Sequence, residues 1–100
     1  MNRFECLESA VAAVTHRQES YGSPEDNATL IARLWAAILG ADVEPYQVAL
    51  CMAAVKIARL ANDPSHSDSW VDLAGYGAYG AEVVDGVNLT TKRPGKCPDF

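Results

Sequence analysis

Apolar residues recur every three or four positions in four stretches of this 100-residue chain, which is the pattern of amphipathic helices. The first stretch predicts a helix from about Asn2 to Ser20. The second has a clear start, because Ser23 can cap a helix and Pro24 suits its first position, and Gly40 ends it. The inward faces are predicted to be Phe4, Leu7, Val11, Val14 and Gln18 in the first helix, and Leu30, Ile31, Leu34, Trp35 and Ile38 in the second.

The third helix is predicted from about Pro45 to Ala61 and is apolar at every position from 48 to 55. A helix without a polar face is buried on all sides, so we expect it at the centre of the bundle and in a subunit interface. The fourth helix starts at Ser67 or Asp68 and runs to about Asp85. We therefore predict an all-α fold, with a compact four-helix domain over residues 1–86 and an irregular C-terminal tail over 87–100.

The fourth helix contains the hexapeptide GYGAYG, residues 75–80, which has the Gly-x-Gly-x-x-Gly spacing of dinucleotide-binding loops. Such a loop follows a buried strand, and the residues before this one do not have a strand pattern. We interpret the glycines as helix residues, with Gly77 admitting a neighbouring backbone and Gly75 leaving room for a ligand. The buried face is predicted to be Trp70, Leu73, Ala74, Gly77, Ala81 and Val84, opposite a stripe of Asp68, Asp72, Tyr76 and Tyr79.

Composition and charge argue against some classes of protein. Hydrophobic residues make up 49% and charged residues 21%, which is typical of a globular domain. The net charge of −5 argues against a nucleic-acid-binding surface. No apolar run approaches the ~20 residues of a membrane span, and the N-terminus lacks the apolar run of a signal peptide, so we expect a cytoplasmic protein. A chain this short has a modest core, and we expect a homo-oligomer.

Polar residues that interrupt the apolar faces are candidates for a site. Lys56 and Arg59 share a face of the third helix, and buried cations need anions nearby. They can pair structurally with Asp68 and Asp72, or they can clamp a phosphate, which suits a planar guanidinium in particular. If they bind a phosphate, we expect an aromatic side chain to stack on a base, and amide or carboxylate groups to form hydrogen bonds with the polar edges of that base. The ligand-binding candidates are Lys56, Arg59, Asp72, Tyr76, Asn27, Tyr21 and Trp35.

Metal binding and catalysis have weaker support. His66, Asp68 and Asp72 are close in sequence, and Asp68 and Asp72 are weak candidates for an Mg²⁺ site if the protein is an enzyme. No serine or cysteine has an evident base partner for nucleophilic catalysis. We assign no catalytic residue and expect no resident cofactor.

Four motifs occur in order along the chain: R-x-x-x-Y-G-x-x-x-x-N from Arg17 to Asn27, IARLW ending at Trp35, KIARL from Lys56, and DSWVDLAGY from Asp68 to Tyr76. Together they resemble a family of small helical proteins of unknown function from tailed phages and prophages, over roughly residues 10 to 83. The resemblance implies a phage origin and a role in the cytoplasm of the infected host, and it implies no particular activity. A more distant similarity is to MazG-like all-α nucleoside triphosphate pyrophosphatases, which hold Mg²⁺ between paired acidic residues on two helices. The second and third helices here carry no paired glutamates.

Three functions remain open. The first is binding of a nucleotide or nucleotide-derived phosphate ligand, which would sequester a host defence signal without turnover. The second is a MazG-like Mg²⁺-dependent pyrophosphatase, with Asp68 and Asp72 on the metal and Lys56 on the polyphosphate. The third is an inhibitor that presents an acidic helical surface to a host protein. The cations and aromatic residues favour the first.

Overall fold

A computed structural model describes residues 1–86, apart from the side chain of Tyr21. These residues form four α-helices: α1 is Arg3–Tyr21, α2 is Pro24–Leu39, α3 is Pro45–Asn62 and α4 is Ser67–Gly86. The predicted all-α, four-helix fold is confirmed. The tail over 87–100, predicted to be irregular, lies outside the described residues. No helix within 1–86 is long and apolar enough to cross a membrane.

Local hydrogen bonds fix the ends of the first two helices. The side-chain oxygen of Asn2 accepts from the Glu5 amide at 2.9 Å, and the Glu5 carboxylate accepts from the Asn2 amide at 3.3 Å, which is a capping box. The Ser23 hydroxyl accepts from the Asp26 amide at 3.2 Å and caps α2, as predicted. Gly40 ends α2 with a φ of 66°, a conformation that glycine adopts without strain.

The antiparallel pair of α3 and α4 forms the centre of the domain. Lys56 Nζ lies 3.0 Å from Asp72 Oδ2 in one half of the pair. In the other half, a methyl group at Gly80 would lie 3.1 Å from Ala49 Cβ, so the two backbones are close there. The expectation that Gly77 provides the close approach is wrong, because a methyl group at Gly77 would meet nothing within 4 Å. Helix α1 packs on α4, and α2 packs across both α3 and α4.

Small side chains dominate the buried core. Because alanine and glycine occupy many contact positions, the helices approach closely, and few large side chains are buried among the described residues. One buried polar residue, Ser69, has its hydroxyl 2.8 Å from His66 Nδ1 and is therefore satisfied. The buried hydrophobic residues are Ala10, Ala28, Ala32, Val48, Ala49, Leu60, Val71, Tyr79 and Val83.

The large apolar residues predicted to face inward on α1 and α2 are mostly exposed in the single chain. On α1 the exposed fractions run from 57% at Leu7 to 67% at Val11, and on α2 from 54% at Leu34 to 79% at Ile38. The prediction is wrong for Phe4, Leu7, Val11, Leu30, Leu34 and Ile38, because Ala10, Ala28 and Ala32 hold the contact positions instead.

The buried sides of α3 and α4 also differ from those predicted. Helix α3 is buried only where it meets α2 and α4, since Leu50 is 61% exposed and Ile57 is 55% exposed. On α4 the predicted inward residue Trp70 is 47% exposed, whereas Tyr79 and Val83 of the opposite side are buried. The reason is that α4 has neighbours on its tyrosine side, so the stripe predicted to be polar carries the contacts.

Candidate functional site

A pocket of about 370 Å³ is lined by polar side chains from all four helices. Arg17 comes from α1, Asn27 from α2, Lys56 from α3, and Asp72 and Tyr76 from α4. The volume lies near the small end of the ~300–1,000 Å³ found for small-molecule sites. Side chains that lie between Arg17 and Tyr76 in the sequence therefore meet around one cavity.

The Lys56–Asp72 ion pair forms one wall of this pocket. The two side chains differ in exposure, with 16% for Lys56 and 41% for Asp72. Neither Arg59 nor Asp68 joins this pair: both are exposed, neither lines the pocket, and no ion pair of theirs occurs among residues 1–86. The predicted cationic face of α3 is thus divided, with only Lys56 turned toward α4.

Arg17 and Tyr76 form a second contact across the pocket. The guanidinium Nη2 donates to the Tyr76 hydroxyl at 3.1 Å, and its Cζ lies 5.0 Å from the centroid of the ring, within range of a cation–π interaction. Sequence reasoning used Arg17 only as part of a motif and did not place it at the site. Its position one turn after Val14, on the side of α1 that turns toward α4, is the signal that could have identified it.

Tyr79 and Asn27 form a third, more buried contact. The Tyr79 hydroxyl donates to Asn27 Oδ1 at 2.9 Å, and Tyr79 is 8% exposed. Burial raises the pKa of the Tyr79 phenol, the negative charge of Glu25 adds to this, and the positive charge of Arg17 partly opposes it. The phenol therefore stays neutral and can donate to Asn27 throughout the ordinary pH range. The Tyr79 ring lies edge-to-face against Tyr76, with centroids 6.2 Å apart.

A smaller hollow of about 250 Å³ lies on the other side of these contacts. It shares Arg17, Asn27, Tyr76 and Tyr79 with the main pocket, so those four residues form the partition between the two spaces. Its remaining lining is mainly apolar: Ile31, Trp35, Val48 and Met52.

The structure thus places the seven ligand-binding candidates in different environments. Lys56 and Asp72 line the main pocket, Trp35 lines the smaller hollow, and Asn27 and Tyr76 line both. Arg59 lines neither, and the side chain of Tyr21 lies outside the described part of the chain.

The candidate metal residues do not come together. Within residues 1–86 no group of three or more His, Cys, Asp or Glu side chains is arranged to hold a metal ion. His66 Nδ1 faces Ser69 instead, and the Asp72 carboxylate faces Lys56. Asp63, at the end of α3, is engaged in the turn, where the Ser65 hydroxyl and amide lower the pKa of its carboxyl group.

Comparison with known proteins identifies the family. A family model described as a domain of unknown function, DUF6378, matches residues 5–84. The chain belongs to the DUF6378 family. It is 41% identical to the Gene 55 protein of Mycobacterium phage L5 over 61 residues, which is 60% of this chain and 39% of that protein. It is 38% identical to the Gene 55 protein of Mycobacterium phage D29 over 60 residues, 60% of this chain and 40% of that protein.

These relatives agree with the resemblance to a phage family of unknown function and support a phage origin. The DUF6378 chain spans about two fifths of the length of the curated relatives it matches. No solved structure matches it. The residues that line the main pocket from Val14 to Glu82 all lie inside the matched range of the family.

Proposed function

We propose that this DUF6378 chain binds a small phosphate-bearing ligand of the nucleotide class in its main pocket, without turnover. The observation that carries the proposal is the convergence of two cations, Arg17 and Lys56, and two tyrosines on one cavity of about 370 Å³. A cavity of that volume favours a ligand of mononucleotide size over a larger dinucleotide.

The phosphate is assigned to the cationic side of the pocket. Lys56 presents a compact ammonium with three donors, of which one direction is taken by Asp72, and Arg17 adds a second positive charge. Two carboxylates, Asp72 and Glu82, also line the pocket, so the formal charges of these four side chains cancel. Because of this balance, we infer that a phosphate monoester is preferred over a triphosphate.

The base and sugar are assigned to the tyrosine side. Tyr76 offers an aromatic surface for stacking, and Trp35 offers another where the smaller hollow adjoins. Asn27 uses its carbonyl oxygen to accept from Tyr79, so its amide nitrogen is the group that would donate to a base carbonyl. Asp72, which lines the same pocket, would accept from a ribose hydroxyl.

The phage relatives are consistent with a role in infection. We propose that the protein acts in the host cytoplasm and sequesters a nucleotide-derived defence signal, since binding without turnover removes a signal from solution. The MazG-like pyrophosphatase is the alternative. It is less well supported, because Lys56 places an ammonium against the carboxylate of Asp72, where that mechanism needs Mg²⁺. Inhibition of a host protein by an acidic helical surface is the third possibility.

Isothermal calorimetry on the full chain tests the proposal, using nucleoside mono-, di- and triphosphates and cyclic dinucleotides, with and without Mg²⁺. We expect a monophosphate to bind without turnover. Lys56→Gln should weaken binding by roughly tenfold or more, because it removes a charge-assisted contact. Arg59→Gln is the matched control: it removes a cation from the same helix outside the pocket, and its affinity should be unchanged. Circular dichroism verifies that both variants are folded.

The other outcomes separate the alternatives. Release of pyrophosphate from a triphosphate with Mg²⁺, abolished by Asp72→Ala, would establish the pyrophosphatase instead. An equal loss of affinity in Lys56→Gln and Arg59→Gln would show that overall charge, and not this pocket, binds the ligand. Absence of binding to every compound would reject the proposal and leave the inhibitor hypothesis.

A further inference from the structure

We propose that a second copy of this chain packs against the outer face of α3 and α4, so that two chains build a four-helix bundle about a twofold axis. The outer face consists of one seam on each helix. The α3 seam is Leu50, Ala54, Ile57 and Ala61, and the α4 seam is Trp70, Ala74, Gly77 and Ala81. This inference is independent of the proposed ligand.

The outer face lies on the side of the α3–α4 pair that α2 leaves open. Helix α2 meets α3 around Val48 and Met52, which share a hollow with Trp35. At about 100° per residue, Leu50 and Ile57 are turned roughly 180–200° away from Val48. Among residues 1–86 no helix covers them: Leu50 is 61% exposed, Ile57 is 55% exposed, and Trp70 across the pair is 47% exposed.

None of the eight outer-face residues is charged, and the nearby charge of Asp85 lies beyond Ala81 at the end of the α4 seam, whereas the other exposed apolar stripes have a charge within their length. The stripe on α1 has Glu8 one turn after Phe4, and the stripe on α2 has Arg33 between Leu30 and Leu34. Two copies that each carry a net charge of −5 repel one another, so an uncharged contact surface is the one that best permits self-association.

The spacing of each seam favours a second identical helix as the occupant. Both seams follow steps of four, three and four residues, which is the repeat of helices that pack along their length. If two α3 helices pack antiparallel, Leu50 of one copy lies opposite Ala61 of the other, and Ala54 lies opposite Ile57. Each large side chain then meets a small one, so the surface is complementary to itself, as a twofold interface requires.

The α4 seam also pairs its large side chain with a small one, and its second pair consists of two small residues. In an antiparallel α4 pair Trp70 lies opposite Ala81, and Ala74 lies opposite Gly77. The Lys56–Asp72 and Ala49–Gly80 contacts set the two helices so that the midpoints of both seams lie within about 4 Å of each other along the helix axes, less than one helical turn. One twofold axis can therefore relate the two α3 helices and also the two α4 helices, and the four helices together form a bundle.

Light scattering after size-exclusion chromatography tests the proposal on the full chain. We expect twice the chain mass of 10.7 kDa for the native protein. Ile57→Glu should give the monomer, whereas Leu34→Glu should stay dimeric, although the two residues are exposed to almost the same degree, 55% and 54%. A monomeric native protein, or a dimer disrupted by Leu34→Glu and not by Ile57→Glu, overturns the proposal.

Cross-linking tests the register without a disruptive charge. In a chain whose native cysteines are replaced by serine, Leu50→Cys and Ala61→Cys lie about 16 Å apart on one helix and cannot join each other. Oxidation should nevertheless yield a covalent dimer, because each faces the other across the antiparallel pair. Leu50→Cys alone should not cross-link. A cross-link from Leu50→Cys alone, or none from the double variant, contradicts the arrangement.

Discussion

Neutralising Lys56 alone and neutralising Asp72 alone should destabilise the protein by different amounts, although the two residues form one ion pair. The pair is 3.0 Å long, and its side chains are 16% exposed for Lys56 and 41% exposed for Asp72. Lys56→Met keeps the apolar stem and leaves a carboxylate that can recover much of its hydration. Asp72→Asn keeps the shape and leaves an ammonium that is held largely away from water. The second change should therefore cost more.

The expected sizes follow from the exposure of the charge that is left behind. Exposed ion pairs contribute about 0–1 kcal/mol, whereas removing one partner of a buried pair costs about 3–5 kcal/mol. Lys56→Met should lie near the lower range, at about 1 kcal/mol, because Asp72 reaches solvent. Asp72→Asn should cost about 2 kcal/mol, because Lys56 reaches solvent much less.

Urea denaturation followed by circular dichroism measures both free energies of unfolding. All variants are compared at one protein concentration, since association would make stability concentration-dependent. Equal slopes of unfolding free energy against urea concentration show that the denatured states are comparable. Arg59→Met is the matched control on α3 and should change stability by no more than about 0.5 kcal/mol. The reasoning is refuted if Lys56→Met costs as much as Asp72→Asn, or if neither differs from Arg59→Met.

Four further substitutions have defined outcomes. The pKa of the Tyr79 phenol is raised above its ordinary 10.0, so the neutral phenol contributes fully to stability below pH 10, and this contribution is lost as the pH rises through the raised pKa. Tyr79→Phe should therefore reduce the fall in melting temperature above pH 10. Gly80→Ala should destabilise the protein by about 1 kcal/mol or more, because its methyl group would crowd α3 at 3.1 Å. Gly75→Ala, with ordinary contact at 3.9 Å, should stabilise it by roughly 0.5–1 kcal/mol in thermal unfolding. Ser23→Ala should cost about 1 kcal/mol by the same measurement, because the α2 cap is lost.

The helix boundaries could be predicted because their causes are local. Ser23, Pro24 and Gly40 determine both ends of α2 through the capping hydroxyl, the fixed φ of proline and the left-handed conformation of glycine. These interactions span three or four residues and do not depend on the rest of the fold. The sequence therefore contained all of the necessary information.

The buried faces could not be predicted because they depend on which helices meet. The prediction assumed that large side chains such as Leu34 and Ile38 turn inward. Instead the helices meet through alanines such as Ala28 and Ala49, and Gly80 brings α4 against α3. Where small residues form the contacts, hydrophobic periodicity no longer identifies the core of a single chain, because the exposed apolar stripes have the same period as the buried ones.

The candidate site was predictable in part. Lys56, Asp72, Tyr76 and Asn27 do meet around one pocket, and their role in binding stays a prediction. Arg59 was assigned to the same site because it is three residues from Lys56, but a step of three turns a side chain by about 60° on the helix. That rotation is enough to leave Arg59 exposed and outside the pocket.

Nuclear magnetic resonance of the isotope-labelled protein, titrated with a nucleoside monophosphate, tests the ligand site most directly. We expect saturable shift changes concentrated at Gly75, Tyr76 and the side chains of Arg17 and Lys56, with little change at Arg59. Changes confined to the outer face of α3 and α4, or no saturable change with any nucleotide, would contradict a nucleotide site between the four helices.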